Sequence, residues 1–230
     1  MESDFFRLTI IGGGAGAVLL ASQLLDINTN THVTIIERSG NFATGVAYST
    51  PYDYHLLNVR AGNMSYSDVD PTHFLNWLHA ANHTYTANDF VPRKLYGQYL
   101  QALLKNLSTR FPDRISCLTD EVIAIEHDNT VILKSGRLPA ANHLVLAVGN
   151  FLPATPETIS PEIKNTPGYF ANPWNFEAFN SIDPDAHILI IGSGLTMTDC
   201  VLHLHQRNHR GKISSLCRHG YAPVSHEKTI

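Results

Sequence analysis

The 230-residue chain could form one large domain or two small ones, and 43% hydrophobic against 16% charged residues is typical of a globular protein. Its formal net charge at pH 7 is −4, and the sequence shows no basic stripe of the kind that binds nucleic acid, so we expect no nucleic-acid partner. No apolar run reaches the roughly 18 residues of a membrane helix, so we expect no membrane partner either.

The first predicted unit begins with a strand that runs into a glycine turn. Residues 8–11 are apolar or β-branched, residues 12–14 are all glycine, and residues 15–27 carry apolar side chains on one side of a predicted helix. Residues 32–37 form a second predicted strand that ends in an acid. Together they make a βαβ unit of about 30 residues.

Strand, G-x-G turn, helix and terminal acid, in that order, predict a dinucleotide site. Gly12 would make the tight turn, Gly14 would let a pyrophosphate approach, and Ala17 occupies the third fingerprint position. The Glu37 carboxylate would accept hydrogen bonds from ribose hydroxyls. The alternative is a glycine-rich turn in an ordinary α/β domain. The candidate cofactor contacts in the turn are Gly12, Gly13, Gly14, Ala15, Gly16 and Ala17.

Further elements follow before the next glycine turn. Residues 38–71 are predicted to be an irregular loop, and residues 72–81 and 93–110 are predicted helices. Two strands over residues 121–126 and 130–133, joined by a short turn, predict a small antiparallel insertion. A buried strand over residues 143–148 ends at Gly149. The first domain is therefore an α/β, Rossmann-like fold over residues 1–150, with a parallel sheet, helices and this insertion.

A second Rossmann-like unit is predicted near the end of the sequence. Residues 151–185 hold six of the twelve prolines and read as a linker or crossover. Residues 186–230 then repeat the pattern of strand, Gly192-Ser193-Gly194 turn, helix and strand, which predicts a partial nucleotide-binding βαβ unit. Its third fingerprint position is Met197, and we expect this bulky residue to push the helix away from the strand.

The second strand of this unit ends without an acid. Cys217 and Arg218 follow its last apolar residue, and no carboxylate stands where a ribose partner would be. Arg218 would instead meet a 2′-phosphate, which favours NADPH over NADH. An ordinary surface arginine at a strand end is the alternative.

Several segments carry a more specific resemblance. Ala147-Val148-Gly149 matches the A-x-G segment that closes over FAD in flavoproteins with two dinucleotide folds. The chain also resembles bacterial FAD/NAD(P)-binding oxidoreductases, which are distantly similar to flavin-containing monooxygenases and N-hydroxylases. The segments that carry this resemblance are GVAYS at 45–49, HLLNV at 55–59, FLxWL at 74–78 and FVPRxLYG at 90–97.

The resemblance implies positions for both cofactors. FAD would lie on the first turn, with Glu37 on the adenosine ribose and Arg38 beside the adenine. Asn58 and Arg60 are candidates for the flavin end, although loop capping and surface charge explain them equally well. The remaining implied FAD contacts are the backbone of Val122, Ala147 and Gly149. The implied NAD(P)H contacts are Gly192, Ser193, Gly194, Leu195, Thr196 and Arg218.

The resemblance implies an FAD-dependent, monooxygenase-like oxidoreductase that accepts a hydride from NAD(P)H and passes electrons to oxygen or a small organic acceptor. No catalytic residue is identified. Only about 45 residues follow Asp185, so a truncated or non-catalytic FAD-binding module, completed by a partner or as a homo-oligomer, is the main alternative. An NAD-dependent Rossmann enzyme is another.

Cysteine and histidine usage excludes other site types. The loop after the first βαβ unit has no cysteine pair, which argues against a flavin disulfide reductase. The three cysteines, Cys117, Cys200 and Cys217, are far apart in the sequence, which argues against a disulfide framework. This usage is typical of a protein in the reducing cytoplasm, where we expect the chain to be located. The spacing of His203, His205 and His209 does not place three imidazoles on one helix face, so we expect no metal site.

Overall fold

The computed structural model describes residues 6–28 and 30–225, and the chain divides after Phe151 into two compact units. The predicted fold class, a parallel sheet with helices and a small antiparallel insertion, is confirmed. None of the helices in the described residues is long and apolar enough to cross a bilayer.

The first unit carries the larger sheet. Its elements in chain order are β1 (Phe6–Ile11), α1 (Ala15–Ile27), β2 (Thr31–Ile36), α2 (Gly45–Tyr48), a 3₁₀ turn (Ala61–Asn63), α3 (His73–Ala80), α4 (Arg93–Arg110), β3 (Ile115–Leu118), β4 (Val122–Ile125), β5 (Val131–Leu133), β6 (Gly136–Leu138) and β7 (His143–Leu146). Four parallel strands pair in the order β3-β2-β1-β7. Because all four run the same way, their carboxyl ends meet at one edge of the sheet.

The two faces of this sheet are covered differently. Helices α1 and α4 bury their apolar sides against one face, with Val18 and Leu100 fully inaccessible. The antiparallel strands β4, β5 and β6 cover the other face, where Ile11 and Ile36 join a cluster with Val131 and others. Continuous apolar strands of this kind require cover on both faces, and the first unit supplies it.

Two strands and one α-helix of the first unit were not predicted from the sequence. Strand β3 contains Ser116 and Cys117, which break the apolar pattern, and it forms because its backbone pairs in parallel with β2. Strand β6 extends the predicted antiparallel pair to three strands. The short helix α2 lies inside the segment predicted to be an irregular loop. The strand predicted over residues 143–148 ends earlier, at Leu146.

The second unit is smaller. Its elements are α5 (Pro161–Lys164), a 3₁₀ turn (Ala178–Ser181), β8 (Ile188–Ile191), α6 (Leu195–Gln206) and β9 (Ile213–Leu216), with β8 and β9 paired in parallel. Residues from the segment interpreted as a linker pack on α6, since the rings of Phe176 and Phe179 lie 5.0 and 6.0 Å from that of His203. Leu189 and Ile191 remain largely exposed.

Candidate functional site

The first glycine turn is built against the carboxyl end of β7. Gly12 has φ +104°, and its N–H donates to the Ile36 carbonyl at 2.8 Å. A β-carbon at this position would lie well under 3.0 Å from the Ala147 carbonyl oxygen. The Ala147 N–H in turn donates to the Ile11 carbonyl at 2.8 Å. Both backbone conformation and close contact therefore require glycine at position 12.

The start of α1 offers an open cradle for an anion. Gly14 is the extended N-cap residue, at φ −74° and ψ −170°, and makes no side-chain cap hydrogen bond. Its carbonyl accepts from the Ala17 N–H at 3.1 Å, and a β-carbon at Gly16 would meet nothing within 4 Å. A helix N-terminus without a side-chain cap presents N–H groups and positive potential to this space, which suits a diphosphate. Ala17 is fully buried at the helix–sheet contact.

Glu37 closes the turn from the end of β2. Its Oε2 accepts from the Gly13 N–H at 2.9 Å, and its Oε1 accepts from the N–H and hydroxyl of Ser39 at 3.0 and 2.8 Å. Burial raises the pKa of Glu37, but the hydrogen bonds from Gly13 and Ser39 outweigh it, so the pKa lies below its ordinary value. The carboxylate is ionised at neutral pH and retains acceptor capacity for ribose hydroxyls.

The other predicted FAD contacts differ in their surroundings. Arg38 is exposed beside Glu37. The half-buried side chain of Val122 packs against the Ile11 cluster. Asn58 is exposed on its loop, and Gly149 follows β7 at φ +67°.

Arg60, the second candidate for the flavin end, holds its own loop. Its guanidinium donates to the Asn88 carbonyl at 3.0 Å and lies 5.5 Å from the centroid of the Phe90 ring. These contacts favour the structural interpretation of Arg60.

A segment that motif reasoning did not assign to the site also borders the first turn. The Ala43 N–H donates to the Gly13 carbonyl at 2.6 Å, and a β-carbon at Gly14 would lie 3.7 Å from the Gly45 Cα. The GVAYS segment, noted only for its resemblance, was the signal in the sequence that could have identified this neighbour.

The second glycine turn has the same backbone as the first. Gly192 has φ +112° and its N–H donates to the Leu216 carbonyl at 2.8 Å. Gly194 is the N-cap residue of α6 at φ −80° and ψ −171°, and its carbonyl accepts from the Met197 N–H at 3.0 Å. The start of α6 therefore has the same backbone conformation as the start of α1, and the displacement of the helix by Met197 stays a prediction. Leu195 and Thr196 form the first turn of α6.

The end of β9 differs from the end of β2. Cys217 follows β9 as Glu37 follows β2, and the exposed Arg218 comes next. The Ser193 hydroxyl and the backbone N–H groups of the following turn lower the pKa of Cys217. Both the Ser193 hydroxyl and the Cys217 thiol donate to the Tyr221 carbonyl. Among the described residues, β9 is therefore followed by a thiol where β2 is followed by a carboxylate, with the exposed Arg218 next to it.

The histidines near the end of α6 do not converge. His203 is buried against the aromatic rings described above. Within residues 6–28 and 30–225, no group of three or more histidine, cysteine, aspartate or glutamate side chains is arranged to hold a metal ion.

The fold and the two turns are those of a dinucleotide-binding protein. Residues 9–151 match the model of the FAD-NAD(P)-binding family, and the chain belongs to that family. A search of curated proteins gave no match.

The chain is also similar in fold to solved flavin hydroxylase structures. One is the ornithine N-hydroxylase of Kutzneria sp. 744, solved with reduced FAD, NADP⁺ and L-ornithine, at 15% identity and a TM-score of 0.65 over 97% of this chain and 56% of that chain. The ornithine hydroxylase of Pseudomonas aeruginosa has 16% identity and a TM-score of 0.60 over 91% and 54%. The L-lysine 6-monooxygenase of Pseudomonas syringae has 16% identity and a TM-score of 0.60 over 90% and 52%. The chain therefore spans about half the length of these proteins.

Proposed function

We propose that the protein is an FAD-dependent oxidoreductase that takes a hydride from NADPH, with FAD on the first glycine turn and NADPH on the second. The observation that carries this proposal is the presence of two glycine turns with matching backbone geometry in one chain. A chain with two such turns can hold a hydride donor and a hydride acceptor.

The residues of the first turn fit an adenine dinucleotide diphosphate. The uncapped start of α1 and the open space at Gly16 provide room and backbone donors for the diphosphate. The ionised Glu37 lies beside this cradle and would accept hydrogen bonds from the ribose of the adenosine. Its negative charge disfavours a 2′-phosphate, which suits FAD. Arg38, Asn58, Val122, Ala147 and Gly149 complete the proposed contacts.

The second turn fits a phosphorylated nicotinamide nucleotide. Cys217 stands where β2 is followed by Glu37, so the position after β9 offers a thiol in place of the carboxylate that would repel a 2′-phosphate. Arg218 is exposed at the same end of β9 and would pair with the phosphate. Gly192, Ser193, Gly194, Leu195 and Thr196 would surround the diphosphate. These features together favour NADPH over NADH.

When bound, FAD would accept the hydride of NADPH, leaving NADP⁺, and would pass the two electrons to oxygen or a small organic acceptor. The chain's own residues would bind and orient the two nucleotides, and no side chain is assigned as an acid or base. The names of the structural neighbours, an ornithine N-hydroxylase and an L-lysine 6-monooxygenase, favour oxygen as the electron acceptor and a small amino acid as the substrate that receives one oxygen atom.

A non-catalytic FAD-binding module is the second candidate. The observation that favours it is Met197 at the third fingerprint position of the second turn, where the first turn has Ala17. In this case the first turn would bind FAD, and the second unit would not support hydride transfer.

Flavin uptake followed by anaerobic mixing with NADPH tests these candidates. We expect the protein to acquire a visible flavin band with added FAD, and NADPH to bleach that band within seconds. Protein that takes up no flavin would refute both candidates, and stable flavin without bleaching would establish the non-catalytic module.

Two matched glycine variants assign each nucleotide to its turn. Gly14→Val should abolish FAD uptake. Gly194→Val should leave FAD uptake intact, because a β-carbon there meets no protein atom within 4 Å. It should abolish bleaching, because the valine side chain would occupy the space proposed for the NADPH diphosphate. The opposite pattern would exchange the two assignments.

A further inference from the structure

Helix α2 forms a second wall beside the first glycine turn. A β-carbon at Gly45 would lie 3.5 Å from the Gly14 Cα, and one at Gly14 would lie 3.7 Å from the Gly45 Cα. The two backbones therefore face each other across a gap that one methyl group would fill. This gap borders the uncapped start of α1, where the diphosphate is proposed to lie.

Helix α4 fixes the position of this wall. A β-carbon at Gly97 would lie well under 3.0 Å from the Tyr48 carbonyl oxygen and 3.2 Å from the Thr44 side chain. The rings of Tyr48 and Tyr96 also pack at 4.9 Å. Backbone oxygen cannot give way as a flexible side chain can, so a methyl group at position 97 must displace α2 or α4.

The backbone that joins the turn to α2 is held in an unusual conformation. Ala43 is fully buried with φ +78°, and Gly45 has φ +54°. The hydrogen bond from the Ala43 N–H to the Gly13 carbonyl fixes this segment to the turn. Residues keep such conformations only where their surroundings impose them, and they concentrate at functional sites.

The second turn has no such wall in the described residues. A β-carbon at Gly194 or Gly192 would meet nothing within 4 Å. The wall is thus not a requirement of the glycine turn as a local structure. It belongs to the first turn alone, where a different nucleotide is proposed to bind.

We propose that Gly97 and Gly45 are positioning residues for FAD. Gly97 lets α4 approach α2 closely enough to seat it, and Gly45 lets α2 approach the glycine turn without filling the space above Gly14. Neither residue needs to touch the cofactor to act. The inference rests on the proposed FAD site. It also gives a role to the GVAYS and FVPRxLYG segments, which contain Gly45 and Gly97 and contain none of the proposed cofactor contacts.

The test compares Gly97→Ala with Gly62→Ala as a matched control. A β-carbon at Gly62 would also be crowded, 2.9 Å from the Ala87 Cβ, but Ala87 lies outside the turn and α2. The measurements are FAD affinity by flavin fluorescence titration, the melting temperature, and hydrogen–deuterium exchange of residues 45–48 in FAD-free protein. We expect Gly97→Ala to raise the Kd for FAD about tenfold or more, because a displacement of α2 by about 1 Å is large for a binding site. We also expect faster hydrogen–deuterium exchange over residues 45–48, because α2 loses its close contact with α4.

The control separates positioning from general destabilisation. Gly62→Ala should change the Kd for FAD less than about twofold at a comparable loss of melting temperature. Alanine is the better helix former, so helix propensity alone would make Gly97→Ala more stable, and a weaker FAD complex would point to the α2 contact. If Gly97→Ala does not fold, Gly45→Ala replaces it. Its β-carbon would contact the Gly14 Cα at 3.5 Å without a clash but with the strain of alanine at φ +54°, and it should also raise the Kd about tenfold.

Two results would overturn different claims. Wild-type protein that binds no FAD would refute the proposed function itself. Wild-type protein that binds FAD, together with folded Gly97→Ala and Gly45→Ala variants of unchanged Kd, would refute the positioning role and leave the FAD site intact.

Discussion

The two glycine turns of this protein share a backbone and differ in their neighbours. Gly12 and Gly192 have φ +104° and +112°, and the N-cap residues of α1 and α6 agree within a few degrees in both dihedrals. Around the first turn, the Ala147 carbonyl crowds Gly12 and α2 lies against Gly14. Among the described residues of the second turn, the same glycines are uncrowded. The turn is thus a local structure, and the elements packed around it make one turn different from the other.

The strands that lead into the turns show the same contrast. Ile11 and Ile36 pair at the ends of β1 and β2 and are 8% and 2% exposed. Ile191 and Leu216 pair in the same way at the ends of β8 and β9 and are 55% and 61% exposed. The antiparallel insertion covers the first pair, and no described element of the second unit plays that part for the second pair. Equivalent sequence positions therefore have very different burial.

The largest expected difference between the two turns concerns alanine at their first glycine. Gly12→Ala should lower the free energy of unfolding by about 3 kcal/mol or more, since it adds a steric clash with Ala147 to an unfavourable φ. Gly192→Ala meets only the unfavourable φ and should cost about 1–2 kcal/mol. Chemical denaturation followed by tryptophan fluorescence would measure both. Equal costs would show that the contact with Ala147 contributes nothing.

The next effect concerns nucleotide preference at the second turn. Cys217→Glu would give β9 the terminal acid that β2 has, and the added carboxylate should repel a 2′-phosphate and bind a 2′-hydroxyl. We expect the ratio of flavin reduction rates with NADPH and NADH to fall by about tenfold. Arg218→Ala should lower the same ratio through loss of the cation.

Arg38→Ala is the control for this effect, because Arg38 holds the equivalent position after β2. It should leave the ratio unchanged. A ratio that is insensitive to both Cys217→Glu and Arg218→Ala would contradict the proposed phosphate site.

The smallest effect concerns the charge of Glu37. Glu37→Gln weakens the hydrogen bonds from Gly13 and Ser39 and should cost about 1 kcal/mol of stability at pH 7, since solvent screens this half-buried carboxylate. The folded-state pKa is below the ordinary value of 4.5, so the stabilisation is complete above that value and is lost as the pH falls through the folded-state pKa. Unfolding at pH 7, 5.5 and 4 would test this.

The difference in stability between wild-type protein and Glu37→Gln should therefore narrow below about pH 4.5. Glutamine does not titrate, so the other carboxylates contribute equally to both proteins and cancel. A gap that is constant down to the acid transition would show that ionisation of Glu37 does not stabilise the turn.

Long runs of helical periodicity gave correct predictions, whereas the one-turn helix α2 was missed. The periodicity of residues 15–27 and 93–110 predicted α1 and α4 with the bounds that the structure has. The G-x-G spacing predicted two turns whose glycine conformations depend only on the chain nearby. Strand β3 was missed because its pattern is half polar and its pairing partner, β2, lies about 80 residues away in the chain.

The sequence by itself determined the two strand–turn–helix corners, because apolar periodicity and glycine act within about 30 residues. Tertiary structure alone decided that Ala147 meets Gly12, that Gly97 seats α2, and that Gly45 faces Gly14. These contacts join residues 31 to 135 positions apart, and close packing between such segments depends on the fold of the whole unit rather than on local preference. Packing of distant segments also explains why Glu37 and Cys217, which follow equivalent strands, lie in different environments.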